Sequence, residues 1–198
     1  MNFLAHIYLS GDDDYLKIGN FIADSIRGNK YLNYPKEIQK GIILHRHIDT
    51  YTDSHKTVKL SKKRLYKKYG HYASVIVDIL YDHFLAKNWL TYSDIPLEEY
   101  VQSFYTLLGD NFDVLPIPVQ KMYPYMIKDN WLLSYASIDG ITKVLEGMNR
   151  RTKNKSKMNL AVQELQEFYV DFEEDFTSFF KELILFTDEE IHNNSLIK

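Results

Sequence analysis

The sequence predicts an all-α, single-domain helical bundle, and three observations carry that prediction. Eight Gly and five Pro in 198 residues are too few turn-formers for the many short strands of a sandwich or barrel. Apolar residues recur at helical spacing in one segment after another. The length suits one domain over residues 1–198, and a content of 45% hydrophobic and 15% aromatic residues can fill one sizeable core.

The elements follow in chain order. Asp12, Asp13 and Asp14 precede Tyr15, Leu16, Ile18, Gly19, Ile22 and Ala23, an acid-started helix running toward Arg27 with Gly28 as its stop. Asn33 caps the next helix, Pro35 sits in its first turn, and Ile38, Ile42, Leu44, His45 and Ile48 carry it to about Thr52. Ser54 starts a basic helix that ends on Gly70 as a left-handed cap. A helix from about Tyr72 to Leu90 buries Val75, Ile76, Ile79, Leu80 and Phe84, and is apolar enough to be central. Asp94 opens another helix, with Glu98 and Glu99 early in it. The two prolines between Gly109 and Pro118 break it there, at the one linker candidate. Val119 to Lys128 forms a further short helix, and Ser137 or Asp139 starts one that ends near Arg151. Met158 to Phe186 reads as one long amphipathic helix with Leu160, Leu165, Phe168, Phe172, Phe176, Phe179 and Leu183 inward, a series that belongs to the core. Residues 187–198 read as a flexible tail.

Composition also narrows the chemistry. The absence of cysteine rules out a disulfide framework, a thiolate metal site and a thiol nucleophile, so any metal must be held by His, carboxylate and water. No apolar run reaches the roughly 20 residues that span a bilayer, and Met1 to Ser10 has no basic leader pattern. A soluble, cytoplasmic protein is expected. A net charge of −3 argues against a nucleic-acid binder. The charge is uneven, however. Lys56, Lys59, Lys62, Lys63, Arg64, Lys67 and Lys68 form one basic segment, and Arg150, Arg151, Lys153, Lys155 and Lys157 a second, while Glu164 to Glu190 is acidic apart from Lys181.

Four of the seven histidines, His6, His45, His47 and His83, stand among Asn20, Asp24, Asp49, Asp53, Asp78 and Asp82. His45 and Asp49 are four apart on one helix, about 5 to 6 Å between Cβ atoms, and can share an ion or a water. Asp78 and Asp82 repeat that spacing within an apolar stretch, where a carboxylate needs a partner; a metal or a histidine would satisfy them. His83 lies about 100° further round the helix, and His47 points away from His45. Imidazole and carboxylate donors without thiolate suit Mn, Fe or Mg. Such an ion lowers the pKa of bound water and neutralises charge on phosphoryl oxygens. No serine-hydrolase elbow, phosphate-binding loop or dinucleotide fingerprint is present.

Four blocks in order carry a resemblance. Met1-Asn-Phe-Leu-Ala-His6, Gly19-Asn-Phe-Ile-Ala-Asp24-Ser-Ile-Arg27-Gly28, His45-Arg-His-Ile-Asp49-Thr-Tyr-Thr-Asp53 and Asp78-Ile-Leu-Tyr-Asp82-His83-Phe-Leu are similar to the acyl carrier protein phosphodiesterases, as is Gly147-Met-Asn-Arg150-Arg151. The resemblance implies a helical, HD-domain-like phosphohydrolase. It would use a divalent cation, typically Mn²⁺, to hydrolyse holo-acyl carrier protein to apo-protein and 4'-phosphopantetheine. His6, Asp24, His45, Asp49, Asp82 and His83 occupy the matching positions. Asp24, His45 and Asp82, with Asp49, are the implied ligands, and His83 or His6 a group that orients a ligand or transfers a proton. The adjacent pair runs Asp82-His83, whereas the usual doublet of the superfamily runs His-Asp. An acidic carrier would be steered by the lysine-rich helix, Lys62 and Lys63 included, and by Arg150 and Arg151. Arg27, next to Asp24 in the motif, would contact the substrate phosphate. Two other readings stay open: a hydrolase of nucleotides or other small phosphoesters, and a non-catalytic helical binding module.

Overall fold

The computed structural model describes residues 1–192, which contain α-helices and short 3-10 turns and no strand. The helices are α1 (Phe3–Tyr8), α2 (Asp14–Ile22), α3 (Lys36–Ser54), α4 (Lys56–Tyr69), α5 (Tyr72–Lys87), α6 (Leu97–Asp110), α7 (Ile117–Lys128), α8 (Trp131–Ser134), α9 (Ile138–Arg151), α10 (Ala161–Glu167) and α11 (Tyr169–His192). The all-α expectation holds.

Local chemistry explains most boundaries. Asp13 caps α2 by accepting from Leu16 N–H at 2.9 Å, and Ser137 caps α9 by accepting from Gly140 N–H at 3.1 Å. Gly70 closes α4 at φ +55°, a value that disfavours any side chain. Several boundaries differ from expectation: α2 ends at Ile22 rather than running toward Arg27, α5 ends at Lys87 rather than Leu90, α7 starts at Ile117 rather than Val119, and three starts have a clear local cause. Pro35 rather than Asn33 precedes α3, because residues 28–33 form a 3-10 turn of their own. The cap of α4 is His55 rather than Ser54, with its Nδ1 accepting from Thr57 N–H at 3.3 Å. The helix expected from Asp94 starts at Leu97, since Pro96 lacks an N–H and suits the position just before a first turn.

Two larger corrections concern the C-terminal third. The expected single helix from Met158 to Phe186 is a 3-10 turn at Met158–Leu160, then α10 and α11, parted at Phe168, which leaves helical dihedrals. Residues 187–192 are not a loose tail: α11 runs to His192, Thr187 is buried, and Glu190 meets His47. The remainder of the expected tail, 193–198, lies outside the described residues.

Tyr81 and Phe84 from α5 and Phe176, Phe179 and Phe180 from α11 are fully buried in ring contact with one another, and Phe172 of α11 is fully buried as well. This aromatic wall makes α5 central, as its apolar sequence predicts. Helix α4 is fastened to it by a polar knot. Ser61 Oγ donates to Asp175 at 2.7 Å and meets Tyr81 OH at 2.9 Å, while Arg64 pairs with Asp175 and lies over the Phe172 ring.

Helices α2 and α3 approach each other closely through glycine. A Cβ on Gly19 would stand 2.2 Å from the Ile38 carbonyl oxygen, and one on Gly41 would stand 2.3 Å from that of Leu16. The two backbones therefore touch directly. That contact sets Asn20 and Asp24 against His45 one turn further along α3.

Candidate metal centre

His45 and Asp49 lie on α3 four residues apart, and His6 reaches them from α1. The imidazoles of His6 and His45 stack with centroids 4.0 Å apart and planes 19° from parallel. Both Nε2 atoms face one carboxylate: His45 Nε2 is 3.2 Å from Asp49 Oδ2, and His6 Nε2 is 3.4 Å from Asp49 Oδ1. Asp24, just beyond α2, adds a second carboxylate 3.3 Å from His45 Nε2 and is largely exposed, so it forms the solvent side of the cluster.

Asn20 organises the dry side. Its amide donates to the His6 carbonyl at 2.8 Å and to Ser10 Oγ at 3.0 Å, tying α1 to α2. His45 Nδ1 lies 2.9 Å from the Asn20 backbone carbonyl. A carbonyl only accepts, so Nδ1 carries the hydrogen and the Nε2 lone pair is released toward Asp24 and Asp49 once His45 is neutral.

The protonation states follow from burial and charge. Burial pushes His6 down to about 4, helped by the nearby charges of His45 and the Met1 amine, so His6 is neutral. Burial opposes charge on His45 too, but hydrogen bonds and charge from Asp24 and Asp49 prevail and raise it to about 9. The hydrogen bond from His45 holds Asp24 below its ordinary value. Burial would raise Asp49, yet the two imidazoles hold it well below the usual carboxylate range.

This donor set fits a divalent cation. His6, His45 and Asp49 offer ligand atoms that all lie within 4.8 Å of one another. Both ring nitrogens of His6 are buried and make no well-aligned hydrogen bond, Nε2 having only the 3.4 Å contact with Asp49, an expensive arrangement unless a ligand takes one of them. Two imidazoles and one carboxylate on one side of a site match a known pattern for redox and Lewis-acid metals.

A pH dependence follows for the metal-free protein. Because the folded pKa of His45 is raised, its contribution to stability is complete below the ordinary value near 6.5 and is lost as pH rises through about 9. The urea midpoint should fall across that window, and should fall less in His45→Gln. An equal fall in both proteins would contradict the assignment.

The structure brings together four of the expected residues, His6, Asp24, His45 and Asp49, and places two elsewhere. Asp82 is fully buried, and its carboxylate accepts from the backbone N–H groups of Asn2 at 3.1 Å and Leu4 at 2.7 Å. Asp78, on the same face of α5, takes the Met1 amine at 3.0 Å. The spacing of these two acids does define one face, and Met1, Asn2 and Leu4 supply its partners. His83 is buried on another side of α5, with Nδ1 donating to the Tyr135 carbonyl at 2.7 Å and Nε2 meeting Tyr169 OH at 2.9 Å. His47 points away as expected, toward Glu190. Arg27 is exposed and has no ion pair among the described residues. Lys62 pairs with Asp53 at 2.7 Å, whereas Lys63 is exposed and unpaired. Arg150 is 3.8 Å from Glu146, and Arg151 donates to the Met148 sulfur at 3.6 Å. Sequence reasoning gave Asn20 no role; its signal was its place in the Gly19–Asp24 block.

Fold and site together define an all-α protein with a His/Asp cluster suited to a divalent cation. The family model for acyl carrier protein phosphodiesterase matches residues 1–183. Curated relatives named acyl carrier protein phosphodiesterase include one from Photorhabdus laumondii, 33% identical over 91% of each chain. Others are from Pectobacterium atrosepticum, 31% identical over 93% of this chain and 96% of its own, and Klebsiella pneumoniae, 33% identical over the same shares. The chain belongs to the acyl carrier protein phosphodiesterase family. No solved structure matches it.

Proposed function

We propose that the protein is a metal-dependent phosphodiesterase that removes 4'-phosphopantetheine from holo-acyl carrier protein. The observation that carries this reading is the convergence of two stacked imidazoles on one carboxylate, in a chain matched by the family over residues 1–183. In the reaction, water adds to phosphorus and the bond from phosphorus to the carrier serine oxygen breaks, giving apo-carrier and 4'-phosphopantetheine. A divalent cation, Mn²⁺ in our reading, held by His6, His45 and Asp49 with Asp24 beside it, would supply Lewis acidity and a lowered pKa for water. Asp24, anionic and open to solvent, would take the proton of the attacking water. Arg27, three residues on and unpaired, offers a bidentate guanidinium to the phosphate.

The carrier is acidic, and α4 offers a matching face. Lys56, Lys59, Lys63 and Lys67 are exposed and unpaired, at spacings that place them along one stripe. Leu60 and Tyr66 lie on that stripe, 55% and 66% exposed. The other cations of α4 are engaged elsewhere: Lys62 with Asp53, Arg64 with Asp171 and Asp175, Lys68 with Glu164. Reversing Lys59, Lys63 and Lys67 to Glu should raise KM for the carrier by about tenfold or more, leave kcat little changed and flatten the salt dependence. An unchanged KM would remove α4 from the docking surface.

The function itself is tested by mass spectrometry of holo-acyl carrier protein incubated with the protein and Mn²⁺. The carrier should lose one phosphopantetheine, and EDTA should prevent the loss. An unchanged carrier mass, with hydrolysis of free nucleotides, would favour a small-molecule phosphohydrolase.

A further inference from the structure

We infer that Asp82 is a positioning residue, whose buried carboxylate holds the first turn of α1 and thereby sets His6 against His45. The inference rests on the reading of His6, His45 and Asp49 as the metal centre. Three observations carry it.

First, α1 is six residues long and has no cap of its own. Asn2 stands at its N-cap position and makes no side-chain bond to the helix. A six-residue helix is far below the length at which isolated helices hold. Its free N–H groups must be satisfied from outside.

Second, Asp82 does this across the core. One oxygen accepts from Asn2 N–H and the other from Leu4 N–H, so each oxygen is engaged by the backbone, and Asp82 is outside the group whose ligand atoms converge, His6, His45 and Asp49. A carboxylate at a helix N-terminus is also favoured by the helix dipole. Neighbouring contacts reinforce the clamp. Asp78, one turn earlier on α5, holds the Met1 amine, and the Asn2 amide donates to Tyr135 OH at 2.9 Å.

Third, His6 is two residues beyond Leu4, on the same short helix. With no side-chain hydrogen bond of its own, its ring is held by stacking on His45 and by the path of α1, whose far end is fixed by Asn20 on the His6 carbonyl. Asp82 fixes the near end. A one-ångström slip of α1 would carry Nε2 of His6 away from Asp49.

Asp82→Asn tests this, because an amide keeps one acceptor oxygen and presents an N–H₂ where Asp82 presents the second. Nuclear Overhauser contacts between the His6 and His45 rings in the metal-free protein should weaken strongly, and the Leu4 amide should exchange with solvent at least about tenfold faster. Affinity for Mn²⁺ alone should fall by about 10- to 100-fold, the range seen when groups that orient ligands are lost. Arg64→Ala, which loosens α4 from Asp175, serves as the control that destabilises without touching α1. Unchanged ring contacts and unchanged Mn²⁺ affinity in folded Asp82→Asn would overturn the inference. So would a Mn²⁺-loaded wild-type structure with the Asp82 carboxylate on the ion, a result that also decides the matter if the variant does not fold. If wild type binds no Mn²⁺ while the ring contacts still depend on Asp82, the metal reading falls and the positioning role stands.

Discussion

His45→Ala is expected to lower Mn²⁺ affinity by more than about 100-fold, beyond the loss that follows when only an orienting partner is removed, and to abolish carrier hydrolysis. The size of the effect follows from what His45 does at once. Its Nε2 faces Asp24 and Asp49, its ring carries the stacked His6, and its Nδ1–H is anchored on the Asn20 carbonyl. Without the imidazole, His6 loses its stacking partner and Asp49 loses the group that holds it ionised beside a buried ring. Isothermal titration with Mn²⁺, alongside circular dichroism to confirm the helices, measures this. Retained affinity in a folded variant would remove His45 from the centre.

The second large effect is on the scaffold. Gly41→Ala would stabilise an isolated helix by about 1 kcal/mol, yet here it should destabilise the protein by about 3 kcal/mol, at the upper end of ordinary overpacking. The new methyl group would meet the Leu16 carbonyl at 2.3 Å and the Asn20 nitrogen at 2.7 Å, and both obstacles are backbone. Relief requires α2 and α3 to separate, which moves Asn20 and Asp24 away from His45. Urea unfolding should therefore show a lower midpoint, and Mn²⁺ affinity should drop in the same variant. A neutral or stabilising outcome would contradict the glycine contact.

What the sequence makes legible, and what it hides, divides along physical lines. Local spacing is enough for His45 and Asp49, because residues four apart on a helix share a face whatever surrounds them. The same rule identifies the shared face of Asp78 and Asp82 but is silent on what lies opposite, which is α1. That helix is itself hard to read: it is short, and the group that caps it comes from Asp82, 80 residues away along the chain from Asn2. The parting of α10 from α11 at Phe168 is equally hidden, since Leu165, Phe172 and Phe176 keep the apolar pattern on both sides and no Gly or Pro marks it. His6 enters the cluster in sequence only through the resemblance of its block to the family, for nothing in Met1–Ser10 taken alone points to α3. The lysines of α4 show the reverse case. Their number is plain in the sequence, but which of them are already paired depends on Asp53, Glu164, Asp171 and Asp175 arriving from other elements.

His6, His45 and Asp49, with Asp24 at the solvent side, are expected to hold a divalent cation. Anomalous diffraction at the manganese edge from crystals grown with Mn²⁺ tests it directly. One strong peak is expected within coordination distance of His6 Nε2, His45 Nε2 and an Asp49 oxygen, with Asp82 still bonded to the backbone of α1. A peak at another cluster, or none at this one under saturating Mn²⁺, would contradict it.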